Sequence, residues 1–446
     1  MHRFFIILFL IFTTLATTAM ARSVTFLRDA EVERGLDELA RPILLAAGLN
    51  PSSVKIVLID DESLNAFVID GRAIFLHSGL VMRLERPEEL QAVIAHEAAH
   101  IANGHLTRRV QNFRNSRMIS AAALGLAVAA GAAGADPDAA GGFAVGASSS
   151  ANRVFLAHTR NEESSADRAG IRYMVAAGID PTANISLLEI FRGQEALSAG
   201  RQDPYSRTHP LNSARIRDVK AAVAAYEGRF ETTREAQYWF NVVQGKLSAF
   251  KRSSRWTLRK VRNQTDNVST MRRAVAYHLQ PDARRAVAEI DKLIAKNPRN
   301  PYAHELKGLI LHDNRQFNAA AQSYRRAVDL SPNQPLILAG YGRTLLAIDT
   351  RDSVRNALSV LEKSRSRDPY NARVLRDLAV AYAKTGQNGM ASLATAERYA
   401  LQGRMRDASV HAKRASDLLP NGSASWQRAM DVLRAASAAE KQRNRG

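Results

Sequence analysis

Cysteine is absent from the 446-residue chain. Disulfides, thiolate metal sites and a lipid anchor on an N-terminal cysteine are thereby excluded. Acidic residues are in deficit: 43 Asp and Glu against 62 Lys and Arg leave a formal charge of +19. Such a chain is drawn to polyanions. Long, strongly apolar runs are lacking too. The run Phe4–Leu15 follows His2 and Arg3 and is shorter than the ~20 residues a spanning helix needs. With small residues at Ala19 and Ala21 it reads as a signal peptide, residues 1–21, cleaved after Ala21. Export makes nucleic acid an unsuitable partner and an anionic membrane surface the expected one, with an ordinary solvated basic surface as the plainer reading. Met118–Gly134, mostly Ala, Gly, Leu and Val, is too weakly hydrophobic to span a bilayer. Asp136-Pro137-Asp138 then breaks it before a second small-residue stretch to about residue 151. A helical hairpin packed on the catalytic domain is expected there, with membrane contact or a flap over the site as the other placements.

What is present is Ile94-Ala95-His96-Glu97-Ala98-Ala99-His100-Ile101, an apolar helix carrying H-E-x-x-H. Positions i and i+4 return to one helical face, so His96 and His100 can converge on one zinc ion while Glu97 projects beside it. A carboxylate next to an open coordination position can take a proton from water and hand it to a leaving amine, which is the chemistry of peptide hydrolysis. The helix is expected from Glu88 to Ala102, after Pro87, with Asn103-Gly104 closing it. A metzincin would place its third histidine at the position of Leu106, so that class is rejected. His105 lies about 140° around the helix from His100, suiting it to support rather than to ligation.

Upstream, Thr25–Gly48 reads as a helix and Val54–Ile59 as a strand. Asn65–Ile69 and Ala73–Leu76 flank Asp70-Gly71, a hairpin signal. Ala73, Ile74, Phe75 and Leu76 are expected to form an edge that holds an extended substrate by main-chain hydrogen bonds. A third ligand must come from a separate helix. In Glu162-Glu163-Ser164-Ser165-Ala166-Asp167, Glu163 and Asp167 share a face. Glu163 can then complete a His2Glu site while Asp167 fixes the tautomer of a ligand imidazole.

His96-Glu97-Ala98-Ala99-His100 with Glu163-Ser164-Ser165-Ala166-Asp167, preceded by Asn65-Ala66-Phe67 and Ser78-Gly79-Leu80, resembles the gluzincin family of CaaX prenyl proteases and HtpX. The resemblance spans about residues 50 to 215. It implies His96, His100 and Glu163 as ligands of one zinc ion and Glu97 as catalytic base. Thr208-His209-Pro210 resembles an element of the soluble periplasmic members, which implies for His209 either a fourth ligand that keeps the site latent or a donor to the tetrahedral oxyanion. The two roles exclude each other at any moment, because a ligand in the open position displaces the attacking water.

Lys251, Arg252, Arg255, Arg259, Lys260 and Arg262 crowd around Trp256, as an anion-binding patch or a solvated basic helix. Beyond them, Pro298, Pro332, Pro369 and Pro420 close units of ~34 residues with small residues where paired helices would touch, among them Gly308, Ala320, Gly342 and Ala357. Residues 372–388 fit only one helix. The pattern resembles the tetratricopeptide repeat, whose stacked pairs form a concave surface for peptides or partner proteins.

The expected fold is α+β, mainly α: a zincin-type metallopeptidase domain (22–225) with a small edge-stranded sheet, a helical connector (226–265) and an α-solenoid of tetratricopeptide repeats (266–446). The order of leader, peptidase and repeats resembles periplasmic family members that act on misfolded or stalled outer-membrane proteins and associate with their assembly machinery. A zinc endopeptidase of the periplasm with unfolded or misassembled protein substrates is expected. A chaperone-like binding protein with a latent zinc site is the alternative.

Overall fold

The computed structural model describes residues 25–69, 71–105, 160–198 and 201–443. The leader read at 1–21, the small-residue stretch at 118–151 and Asp70 of the hairpin turn lie outside them. The first helix, α1 (Ala30–Ala46), starts where the Asp29 carboxylate accepts hydrogen bonds from the amides of Glu31 and Val32, both at 3.0 Å. That cap needs an extended residue before the helix, so α1 begins at Ala30 rather than at Thr25. Phe26–Leu27 instead form strand β1 against β2 (Lys55–Ile59).

Strands β3 (Ala66–Val68) and β4 (Ala73–His77) form the hairpin, with Ala66 opposite Leu76 and Val68 opposite Ile74. Across the sheet the order is β1-β2-β4-β3, with β2 and β4 parallel. This corrects the expected substrate edge. Ala73, Ile74, Phe75 and Leu76 lie on an inner strand whose main-chain groups are spent on two neighbours, and Ile74 and Leu76 are fully buried. The edge is β3.

After α2 (Ser78–Arg83) comes α3 (Pro87–Ala102), the centre of the N-terminal half. Proline in its first turn forfeits no helical bond, and Glu89 Oε2 accepts from the amides of Glu85 and Arg86 at 2.7 and 3.3 Å. Every residue from Pro87 to His100 is buried, the signature of a helix that is packed on all sides. A helix over residues 160–176, α4, crosses it closely. At Gly170 even a methyl group would touch the Ala95 carbonyl carbon and the His96 amide nitrogen at 3.4 Å, and Ala99, Ala166 and Ala169 pack together beside it. Small residues thus bring the two helices, and the functional groups on them, within reach. Helices α5 (Ala183–Ile190), α6 (Pro204–Thr208) and α7 (Ser213–Val223) complete this half.

The connector helix α8 (Arg234–Lys251) contributes Phe240, Val243 and Leu247 to the same core as α1, the sheet and α3. After α9 (Ser254–Lys260) the pairs begin: α10 (Asn267–Leu279) with α11 (Ala283–Lys296), α12 (Pro301–Asp313) with α13 (Phe317–Leu330), and α14 (Pro335–Ile348) with α15 (Arg351–Arg367). Helix α16 (Ala372–Lys384) pairs in turn with α17 (Asn388–Leu401), Leu378 and Ala381 packing with Ala394, and α18 (Met405–Leu418) pairs with α19 (Ala424–Arg443), so the single helix read at 372–388 is the first member of a regular pair. Small residues sit at the contacts for a visible reason. A Cβ on Gly308 would meet the Tyr324 ring at 2.7 Å, and one on Gly342 would meet Leu361 at 2.5 Å. The protein is therefore mainly helical, with one small sheet and a solenoid of helix pairs. Among the described residues no helix is long and apolar enough to cross a membrane.

The solenoid folds back on the start of the N-terminal half. Ala30 packs with Ala327 and Ile337, and Arg28 Nη2 lies 2.9 Å from Asp368 Oδ2. Beneath that contact the buried Lys246 Nζ lies 2.9 Å from Asp29 Oδ1 and 3.1 Å from Glu31 Oε2.

Candidate metal centre

Helix α3 presents His96 and His100 on one face, and α4 brings Glu163 to them. His96 Nε2 is 3.1 Å from His100 Nε2 and 3.2 Å from Glu163 Oε2, and His100 Nε2 is 3.4 Å from Glu163 Oε1. His209, the residue after α6, points Nδ1 into the same space, 3.2 Å from His96 Nε2 and 3.0 Å from Glu163 Oε2. All four side chains are buried, and together they form a set able to hold a metal ion.

The donor spacing tests the fit. Four nitrogen and oxygen donors at the zinc distances of about 2.0–2.1 Å stand roughly 3.3 Å apart along the edges of a tetrahedron. The contacts of His96 and Glu163 with the other members run from 3.0 to 3.4 Å, and one ligand atom from each of the four side chains lies within 4.8 Å of all the others. Tautomers point the same way. His96 Nδ1 lies 3.1 Å from Asp167 Oδ1, which accepts the hydrogen bond of the ring N–H and leaves the Nε2 lone pair facing the cluster. His100 Nδ1 contacts His105 Nδ1 at 3.0 Å, giving His105 a supporting place. The set fits a single zinc ion.

A positive residue that sequence reasoning passed over completes the frame. Arg215 on α7 is buried and grips Asp167 with two nitrogens, Nε at 2.5 Å and Nη2 at 2.9 Å, while Nη1 lies 3.2 Å from Glu163 Oε2. Burial would raise the Asp167 carboxyl, but the Arg215 charge together with the hydrogen bonds from Arg215 and His96 outweighs that and holds it at about 2. Glu163 is likewise pushed well below the ordinary carboxylate range, burial being outweighed by the surrounding histidines. For His96, burial opposes the charged form, yet hydrogen bonds to Asp167 and Glu163 raise it to about 9; burial takes His100 down to about 3. Arg215 stands six residues past His209, and only its burial marks it out.

Residues 27–223 match the model of peptidase family M48. This half of the chain is an M48 peptidase domain. Over 396 residues the chain is 25% identical to a beta-barrel assembly-enhancing protease of Escherichia coli O157:H7, covering 86% of this chain and 79% of that one. A putative beta-barrel assembly-enhancing protease of Vibrio cholerae is 29% identical over 205 residues, 45% of this chain and 41% of that one. The mitochondrial metalloendopeptidase OMA1 of Schizosaccharomyces pombe is 24% identical over 198 residues, 44% and 55% of the two chains. The protein is a zinc metallopeptidase, and its buried histidine and glutamate set comes from α3, α4 and the residue after α6.

Within the M48 domain, Glu97 is fully buried and its Oε1 lies 3.3 Å from His209 Nε2. The same His209 nitrogen lies 3.3 Å from the carbonyl oxygen of Ala66 on the edge strand β3. Tyr205 backs the imidazole at 4.5 Å between ring centroids and is itself stacked on Phe191 at 4.6 Å. His96, His100, Glu163, Asp167, Glu97 and His209 are thus gathered in one place.

Proposed function

We propose that His96, His100 and Glu163 ligate zinc, that Glu97 is the general base, and that this is an endopeptidase acting on misfolded or stalled envelope proteins. The observation that carries the reading is the convergence of three buried histidines and one buried glutamate, with one ligand atom from each within 4.8 Å of all the others. When bound, zinc supplies Lewis acidity toward the scissile carbonyl and toward a water. Glu97 accepts the proton of that water and returns it to the leaving amine. Asp167, itself held by Arg215, keeps the His96 tautomer fixed through the cycle.

Substrate adds to the β3 edge, Ala66–Val68, rather than to β4. His209 obstructs both requirements at once. Its Nδ1 would hold a fourth donor position and its Nε2 contacts the Ala66 carbonyl, so one displacement of this ring would open the donor set and the edge together. In the displaced position His209 becomes available to the oxyanion.

The likeness to beta-barrel assembly-enhancing proteases, extending over most of both chains, supports outer-membrane proteins as substrates, the periplasm as location and the assembly machinery as partner. The leader at 1–21 and the division into peptidase (22–225), connector (226–265) and repeats (266–446) belong to the same reading, as does contact of the +19 chain with an anionic membrane surface. The solenoid serves as the docking surface. The seating of His209 favours a second reading, a chaperone-like protein whose zinc site stays latent. Casein hydrolysis separates the two. The protease reading requires loss of activity by about 10²–10⁴-fold in Glu97→Gln. A latch requires a gain in His209→Ala. Equal rates in all three proteins at equal zinc content would remove both the base and the latch.

A further inference from the structure

Where the peptidase half meets the first repeat, a cavity of about 550 Å³ opens between Met82 of α2, Gln244 of α8, Trp256 and Lys260 of α9, and Arg272 of α10, with Arg252 on its rim. Its volume falls in the range of ligand-sized clefts. Two guanidiniums rest on one ring there: the Arg252 and Arg272 Cζ atoms lie 5.9 and 5.8 Å from the Trp256 centroid. Lys260 adds a third cation. The single acid in the lining, Asp266, is committed to capping α10, where it accepts from the Ser269 amide at 3.0 Å.

The two cations next to Arg252 and Arg272 in sequence are paired. Lys251 meets Asp60 and Arg273 meets Glu289. By contrast, none of Arg252, Lys260 and Arg272 makes an ion pair or a side-chain hydrogen bond among the described residues, and the buried Arg272 Nε has no acceptor. Burial accordingly pushes the Arg272 guanidinium below its usual range, with the Asp266 charge opposing. Three like charges around one recess repel one another, and an anion entering it would relieve that repulsion.

From this geometry we infer that the cavity is a carboxylate-binding exosite for acidic peptide segments, holding them at the joint of peptidase and repeats. That the peptide is a substrate rests on the proposed endopeptidase function; the binding itself does not. A peptide fits the walls better than a lipid headgroup. Met82, Val268 and the Trp256 ring supply apolar surface beside the cations, so one wall takes a side chain while the other takes a carboxylate. The joint is also pinned: Gln244 Nε2 donates to the carbonyl oxygens of Val81 and Leu84 at 2.8 and 2.5 Å, so the cavity is preformed.

The test uses the full chain carrying Glu97→Gln, so that no probe is cleaved. Fluorescein-labelled Gly-Ser-Asp-Leu-Phe is titrated by anisotropy in three forms: with free carboxylates, as the C-terminal amide, and with Asn for Asp. Loss of affinity in the amide assigns the site to the chain terminus, and loss in the Asn form assigns it to the side chain; either supports the exosite. Arg272→Gln should weaken binding about tenfold to a hundredfold. Arg272→Lys, which keeps charge but loses the fork, should fall between. Should Arg272→Gln fail to fold by circular dichroism, the exposed Arg252→Gln and Lys260→Gln carry the same expectation. Equal affinity for charged and uncharged peptides, or equal affinity of native and variant proteins, overturns the proposal. So does binding confined to phosphatidylglycerol vesicles. Arginine-dependent peptide binding by a chain with no hydrolytic activity at native Glu97 would keep the exosite while removing the protease function.

Discussion

Asp167 decides which nitrogen of His96 is free to face a cation, and Arg215 decides where Asp167 sits. Removing the charge of Asp167 while keeping its shape leaves the tautomer unfixed, so Asp167→Asn should weaken zinc binding by roughly 10–100-fold, read by competition with a chelating dye. At this scale the sequence was highly informative. The spacing of His96 and His100, and of Glu163 and Asp167, each follows from helical periodicity and needs no tertiary knowledge. Arg215 was not legible, because one arginine among many on a basic chain carries no local sign that it will be buried against two carboxylates. His209 was legible as a candidate but not in its double contact, since Ala66 lies 143 residues away.

Among the elements, the crossing of α3 and α4 and the helix pairs obey one rule: backbones approach where side chains are small. Gly342 shows it in the solenoid. A methyl group there would meet Leu361 Cγ at 2.5 Å, so Gly342→Ala should destabilise the chain by about 1–3 kcal/mol in urea unfolding. The small residues of the repeats announced these contacts from the sequence. Strand order was different. Alternation and the turn gave the β3–β4 hairpin correctly, but nothing local to Ala73–Leu76 says that β2 will return on its outer side, so the inner strand was taken for the edge. A sheet's edges are a property of its topology, not of any one strand.

For the whole molecule, the decisive feature is a buried charge cluster joining the two halves. Lys246 sits with Asp29 and Glu31, and Glu305 of α12 faces it, with its own Oε2 closed off and lacking a hydrogen-bond partner. Burial raises the Glu305 carboxyl from an ordinary value of 4.5 to about 7, opposed by the Lys246 charge. Between those limits the unfolded chain binds fewer protons than the folded one. Stability from this group is therefore greatest below pH 4.5, falls as pH rises, and levels off above about 7. Urea midpoints across that window should decline in the native chain and lose that component in Glu305→Gln. None of this was visible beforehand, because it depends on how the solenoid turns back onto α1.

The central claim is that one zinc ion is shared by α3 and α4. Its most direct test is the zinc content of the purified full-length protein beside Glu163→Gln, both confirmed as folded. One atom per chain in the native protein, lost on removal of the α4 carboxylate, is the outcome required. Equal zinc in both proteins, or none in either after reconstitution, would contradict it.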